Sequence, residues 1–379
     1  MVFLKMALRG VMRGTLNRVP VLASRGMTSA ASDEVLFEVK NRVGIITMNR
    51  PKQLNALNLN MIRQIHPKLK EWESQLGVVM IRGAGGKAFC AGGDVVSITK
   101  AGRAGDPLAG DFFRAEYRLN RLTGELAIPY VALQHGITMG GGCGMSVHGK
   151  YRVCTEKTLF AMPETAIGFL PDVGGSHFLP RLQGRLGLFL ALSGYRLKGR
   201  DNLHAGISTH ACDSALLDDL VAEVAEGGVS RLQAILDSYT QKAEFDKGKP
   251  FSLEPHMETI NRCFASDSVP EILSALEKDG SEFASKIHAT LLKMSPTAMV
   301  ITAEQLRRGA SLSLADCLRM EVRLSDRFLE DNDFYEGVRA VLVDKDQSPV
   351  WKPATVAEVP ADIVDRYFAP LPADRELQF

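Results

Sequence analysis

The sequence has no pair of cysteines at C-x-x-C spacing; Cys90, Cys143, Cys154, Cys212, Cys263 and Cys317 each stand alone. Without that spacing neither a structural zinc site nor a small disulfide framework is indicated, so the thiols are read as reduced. Several catalytic signatures are missing too. None of the histidines lies in H-E-x-x-H, and RGAGGKA fails as a Walker loop, with Ala88 in place of Ser or Thr and the wrong spacing before Gly86 and Lys87. GMSVHG is not G-x-S-x-G, so Ser146 has no nucleophile elbow. No strict repeat of the solenoid kind is present. The uncharged run 126–149 contains Pro129, Gln134, His135, His148 and a glycine cluster, which a lipid-exposed helix would not accept, so no membrane span is expected.

Acidic residues are lacking in one place above all. None appears before Asp33, whereas Lys5, Arg9, Arg13, Arg18 and Arg25 alternate there with Phe3, Leu4, Leu8, Val11, Met12 and Leu16. A basic, amphipathic, acid-free start describes a mitochondrial transit peptide, here residues 1–30, with a cleavage region around Arg25-Gly26-Met27 and Thr28-Ser29-Ala30. A matrix location follows. A secretory signal would need an uninterrupted apolar core, which is absent; a membrane-surface helix is the other alternative. The whole chain has 45 basic and 44 acidic residues, so without those five the remainder has 40 and 44, a net of −4. A weakly acidic body is not built for nucleic acid.

Glycine is plentiful: 34 of 379 residues, about 9% against a norm of ~7%. The densest part lies in 135–175, where a short apolar strand (Tyr130 to Leu133) leads to Gly140, Gly141 and Gly142 and then to a helix start. Three glycines together suit unusual backbone angles or close approach to a ligand. Free N–H groups at such a junction attract negative charge. Glu164 and Asp172 follow on a loop punctuated by Gly and Pro. Oxyanion donors followed by two carboxylates are the parts of an acyl-transfer site. A turn-rich connector with surface acids is the competing reading of the same residues.

Along the body, 35–50 reads as two short strands with a turn near Asn41, and 54–73 as a helix with a kink expected at Pro67. Residues 78–83 form a buried strand, and 84–94 a glycine-rich loop ending at Asp94 before another helix. Residues 111–126 form an amphipathic helix that offers Phe112, Tyr117, Leu119 and Leu122 for burial. LGLFLALSG is a short apolar helix. Beyond about Ala215 the chain becomes helix-rich, divided by a polar loop at 245–250, and it closes with a helix at DFYEGV and a Pro-rich end. The expected organisation is a mixed α/β core over 31–225 and a mainly helical region over 226–379 packed on it. Cys143 reads as a packing thiol and His177 as a solvated or packing histidine. The two glycine loops, CAGGD at 90–94 and MGGGCG at 139–144, each follow a strand and precede a helix, so each could supply one N–H to a tetrahedral intermediate.

KAFCAGGD, HGITMGGG, MPETAIGFLPDVGG and DFYEGVRAVLVDKD together resemble the crotonase superfamily, and within it the thioester hydrolases of valine breakdown, over residues 35–351. The resemblance implies a spiral of ββα repeats in two sheets, followed by helices. It implies an oxyanion hole at the N–H groups of Gly93 and Gly141, and substrate-contacting or catalytic acids at Glu116, Glu164 and Asp172. The acyl-CoA thioester would then be the substrate, with its carbonyl between the glycine loops; no metal and no cofactor are implied, and a homo-oligomer is left open. Hydratases of the superfamily carry a second catalytic glutamate where this chain has Gly144, and glycine where it has Asp172. Hydrolysis is therefore expected over hydration, with a hydratase or isomerase and a non-catalytic acyl-CoA-binding subunit as alternatives.

Overall fold

The computed structural model describes residues 33–379, and residues 34–379 form one compact unit. The transit-peptide reading of residues 1–30 lies outside the described residues. The chain begins with a hairpin, β1 (Val35–Lys40) and β2 (Val43–Met48), whose turn residues Asn41 and Arg42 both have positive φ. Helix α1 (Leu59–Gln75) follows, capped by the Asn58 side chain and running through Pro67 as a single helix.

From there the chain repeats one pattern: a strand in a six-stranded sheet, a strand in a four-stranded sheet, then helix. The first turn is β3 (Val78–Gly83), β4 (Ala88–Cys90), α2 (Val95–Arg103) and α3 (Leu108–Glu125). The second is β5 (Tyr130–Gln134), β6 (Ile137–Met139) and α4 (Gly141–Gly144). The third is β7 (Tyr151–Cys154), β8 (Leu159–Ala161), α5 (Gly175–Phe178) and α6 (Leu186–Ser193). After β9 (Leu197–Lys198), α7 (Asp201–His204) and β10 (His210–Ala211), the sheets are complete in the orders β1-β2-β3-β5-β7-β10 and β4-β6-β8-β9. Neighbours pair in parallel except β1 with β2 and β8 with β9. This is the ββα spiral with a helical C-terminal region.

Both faces of the larger sheet are covered, which explains why VVMIRG shows no polar alternation. Val78 and Met80 face α8 (Leu217–Lys242, broken at Gly228), through Leu220, Val224 and Leu236. Val79 and Ile81 join the larger core with Ile65 and Leu69 of α1 and Leu119 of α3. Two readings of the sequence are corrected. The segment 84–94 is not all loop, since Ala88–Cys90 forms β4. Nor does the strand at Tyr130 lead directly into the glycine cluster; β6 intervenes and belongs to the other sheet. Three-residue strands are too short for hydrophobic alternation to reveal.

The helical region comprises α9 (Met257–Cys263), α10 (Val269–Asp279), α11 (Glu282–Leu291), α12 (Pro296–Gly309), α13 (Leu314–Glu330), α14 (Asp333–Val338) and α15 (Ile363–Phe368). Arg114 of α3 forms a two-pronged pair with Asp326 of α13, at 3.1 and 2.6 Å, and Arg375 adds a third contact at 3.0 Å. That fork geometry fixes the rotation of α3 against the C-terminal helices.

Candidate active site

Three turns leave the same edge of the smaller sheet. β4, β6 and β8 run in parallel, so their carboxyl ends share one side, and each is followed by residues of interest: Gly92 and Gly93, Gly140 and Gly141, and Pro163 and Glu164. The carboxyl edge of a parallel sheet is where such folds gather ligands. The turns need glycine for two reasons. Gly92 and Gly140 hold φ of 122° and 47°, and a Cβ on Gly142 would lie 2.1 Å from the Cys90 carbonyl oxygen. A Cβ on Gly141 would lie 3.3 Å from the Gly93 nitrogen, so the two N–H groups are neighbours. Neither donates a hydrogen bond to any described residue. Paired, partnerless donors at this depth await an acceptor.

Carboxyl groups converge on these donors. Helix α3 presents Phe113, Glu116, Tyr117 and Asn120 along one stripe at helical spacing, all buried. The notional Cβ of Gly141 falls 2.5 Å from Glu116 Oε1, and that of Gly140 falls 3.0 Å from Glu164 Oε1. Glu164 opens a short 3-10 turn, Glu164–Ile167. Asp172 lies in the loop beyond it and accepts the Tyr117 hydroxyl at Oδ2, 2.8 Å away. Glu116, Glu164 and Asp172 are each no more than 5% exposed. Glu116 Oε1, Glu164 Oε2 and both polar atoms of Asn120 have no partner among the described residues.

Burial raises the proton affinity of all three carboxyls, and repulsion by neighbouring carboxylates raises Glu116 and Glu164 further. Glu116 is held well above the usual range by desolvation, then by Asp172, Glu164 and Glu321. Glu164 is raised by desolvation and by Asp172. Asp172 is pushed up to about 7 by desolvation, with the Tyr117 hydroxyl pulling the other way. Such a cluster holds protons near neutral pH.

The loop after Asp172 is strained. Val173 has φ of 52°, rare for a β-branched residue, and Gly174 follows at 84°. His148 Nε2–H donates to the Val173 carbonyl at 2.7 Å, and burial depresses that imidazole to about 4. The turn at Glu164 is gripped from outside by α14: a Cβ on Gly168 would lie 2.2 Å from the Asp333 carbonyl oxygen, and one on Gly337 would lie 2.3 Å from the Ile167 carbonyl carbon. Asp333 in turn accepts from Ser295 Oγ at 2.7 Å and from the Lys352 N–H at 2.8 Å. Phe113, Phe169 and Phe334 form an aromatic wall, with centroids 5.2 and 4.4 Å apart along the chain of contacts.

All five residues singled out in the sequence, Gly93, Gly141, Glu116, Glu164 and Asp172, therefore come together. Cys143 packs with its thiol 3.5 Å from the carbonyls of Thr138 and Ala161, and the His177 ring lies 6.5 Å from that of His148. The sequence reading did not single out Asn120 or Glu321, and it gave Tyr117 only a packing role. One signal was available. Glu321 sits on the apolar stripe of α13 with Cys317, Leu324 and Phe328, where a carboxylate has no reason to be unless something holds it.

Residues 43–368 match the enoyl-CoA hydratase/isomerase family. The chain is 54% identical over 350 residues to a protein of Danio rerio named 3-hydroxyisobutyryl-CoA hydrolase, mitochondrial, covering 91% of this chain and 92% of that protein. It is 53% identical over 346 residues to the Homo sapiens protein of the same name, covering 90% of each. Among solved structures, a carnitinyl-CoA dehydratase from Mycobacterium thermoresistibile superposes with a TM-score of 0.85 at 38% identity, over 92% of this chain and 99% of that one.

Proposed function

The chain belongs to the enoyl-CoA hydratase/isomerase family, and from that premise we propose that it hydrolyses the thioester of 3-hydroxyisobutyryl-CoA, releasing 3-hydroxyisobutyrate and coenzyme A in the mitochondrial matrix. The observation that carries the chemistry is the pair of partnerless N–H groups at Gly93 and Gly141, facing buried carboxyls. In this reading the thioester carbonyl lies between the glycine turns, and its developing oxyanion takes both N–H bonds. Once ionised, a form that burial and Asp172 disfavour and so make strongly basic, Glu164 draws a proton from water as the water adds, or attacks directly to give an acyl anhydride that water then opens. The thiolate of coenzyme A leaves, and as a fair leaving group it needs little acid assistance. Asp172 orients the water or Glu164, and Glu116 takes the 3-hydroxyl. 3-Hydroxypropionyl-CoA, which keeps that hydroxyl, is a second expected substrate.

The likeness to a dehydratase favours one rival reading, hydration or its reverse. Against it stands Gly144, where a side chain would meet Val173 Cβ at 2.6 Å and Asn120 Nδ2 at 2.7 Å, so no second glutamate fits beside Glu164. Thiol release and loss of enoyl absorbance, measured on purified protein over acyl-CoA thioesters with and without a 3-hydroxyl, separate the readings. Hydrolysis predicts thiol release, strongest with the 3-hydroxyl; enoyl loss without thiol release would reverse the conclusion, and neither signal would leave an acyl-CoA-binding subunit. We also propose that residues 1–30 direct import, that 31–225 carry the chemistry and that 226–379 form the helical support. Assembly into a homo-oligomer is compatible with this reading.

A further inference from the structure

We infer that Glu321, a residue of the C-terminal helices far from the glycine turns in sequence, is a positioning residue whose carboxylate holds the 172–176 loop, and with it Asp172, in its working geometry. The inference rests on the proposed role of Asp172 and extends it to a residue outside the α/β core.

Glu321 is fully buried on the apolar stripe of α13. Burying a carboxyl is costly unless hydrogen bonds satisfy it. Every bond to it comes from one loop: the Gly174 N–H at 2.7 Å to Oε2, and the Ser176 N–H at 3.0 Å and the Ser176 hydroxyl to Oε1. No Lys, Arg or His pairs with it among the described residues. Burial pushes this carboxyl up to about 8, while the Ser176 hydroxyl and the two N–H groups pull it back down. The backbone it grips is the strained one. Val173 at φ 52° stays in that conformation only because the surroundings over-determine it, and Gly174 at φ 84° turns the chain where only glycine does so freely. Glu321 holds the loop from the α13 side, and His148 holds it through the Val173 carbonyl. Asp172 is the residue immediately before this clamped pair.

Charge adds a second link. The groups facing this region are Glu116 and Tyr117 from α3, Glu164 from its 3-10 turn, Asp172, Cys143 of α4, His148, Cys317 of α13 itself, and Arg181. Negative charge on Glu321 raises the proton affinity of Glu116 and Tyr117, and Asp172 does the same to Glu321. Where Glu321 is ionised, removing that charge lowers the proton affinity of Glu116 and Tyr117.

The test is thiol release across pH by Glu321→Gln and Glu321→Asp, with Asp172→Asn alongside and the folded fraction followed by circular dichroism. Gln offers one acceptor oxygen and turns an N–H toward the loop's own donors. Its kcat should fall on the order of 10²-fold with KM little changed, as displaced catalytic groups do. Asp keeps two acceptor oxygens, so its kcat should recover in part. A folded Glu321→Gln protein with the parent's kcat overturns the inference. So does a loss that only tracks the folded fraction. Should Glu321→Gln not fold, Ser176→Ala removes one of the three donors: a several-fold lower kcat at unchanged KM supports the inference, and an unchanged kcat overturns it. Parental turnover by Asp172→Asn would instead sink the reading of Asp172 on which this rests.

Discussion

Glu164→Gln keeps the size and reach of the side chain and removes only its basic oxygen. If Glu164 acts in the reaction step, kcat should drop by roughly 10²-fold or more while KM for the thioester barely changes. Glu116→Gln, one residue before the tyrosine that holds Asp172, should behave otherwise. A site built to bond a hydroxyl rejects analogues that lack it, so this variant should lose far more activity on 3-hydroxyacyl-CoA than on the plain acyl-CoA. Equal slowing of both substrates by Glu116→Gln, together with a pure KM effect for Glu164→Gln, would show the roles to be reversed. Asp172 makes a prediction about stability. Its carboxyl rises from 3.8 to about 7 on folding, so between those values the native state holds a proton that the unfolded chain has lost. Stability from this group is complete below about pH 4 and is lost as pH climbs toward 7. Asn imitates the protonated form, so Asp172→Asn should melt a few degrees above the parent at pH 8, and the two should converge by pH 4. Thermal melts at the two pH values check this, and a lower Tm for Asp172→Asn at pH 8 would contradict it.

Among the elements, the shortest are the most consequential. Helix α4 is four residues long, and Gly141 is its first. Proline is well tolerated at that position, because the N–H it lacks has no helical partner. Gly141→Pro should therefore fold, yet lose one oxyanion donor, worth about 2.7–4 kcal/mol or roughly 10²–10³ in kcat. Its Cβ also meets Glu116 Oε1, so Gly141→Ala is the matched control, with the same Cβ and the N–H kept. Turnover by Gly141→Pro equal to that of Gly141→Ala would remove Gly141 from the oxyanion hole. Strands β4, β6 and β8 matter as much. At three residues each they contribute little burial of their own, but their parallel pairing sets three turns side by side. The helix α14 then fixes one of those turns by backbone contact at Gly168 and Gly337, where no side chain could be inserted.

For the molecule as a whole, the first prediction concerns where it works. A chain without residues 1–30 should keep its thiol-release activity, because the compact unit begins at Glu34, and should fail to enter mitochondria. Fractionation of cells expressing both forms checks this; matrix accumulation of the shortened chain would contradict it.

Much of the rest could be read before any fold was known. The β1–β2 hairpin, helix α1, the buried strand at 78–83 and the amphipathic α3 follow from periodicity and turn residues, because each is long enough for its pattern to repeat. The glycine turns and the acids Glu164 and Asp172 follow from local chemistry, because they lie within a few dozen residues of one another. Glu116 could be named only through family resemblance, since its helix carries it to Gly141 from a distant part of the chain. Tyr117, Asn120, His148 and Glu321 acquire their places by tertiary packing. Glu321 reaches Gly174 across 147 residues of sequence. No pattern within either segment encodes that meeting, because a hydrogen bond between distant residues is set by how the helices dock, and docking depends on the shape of the whole core.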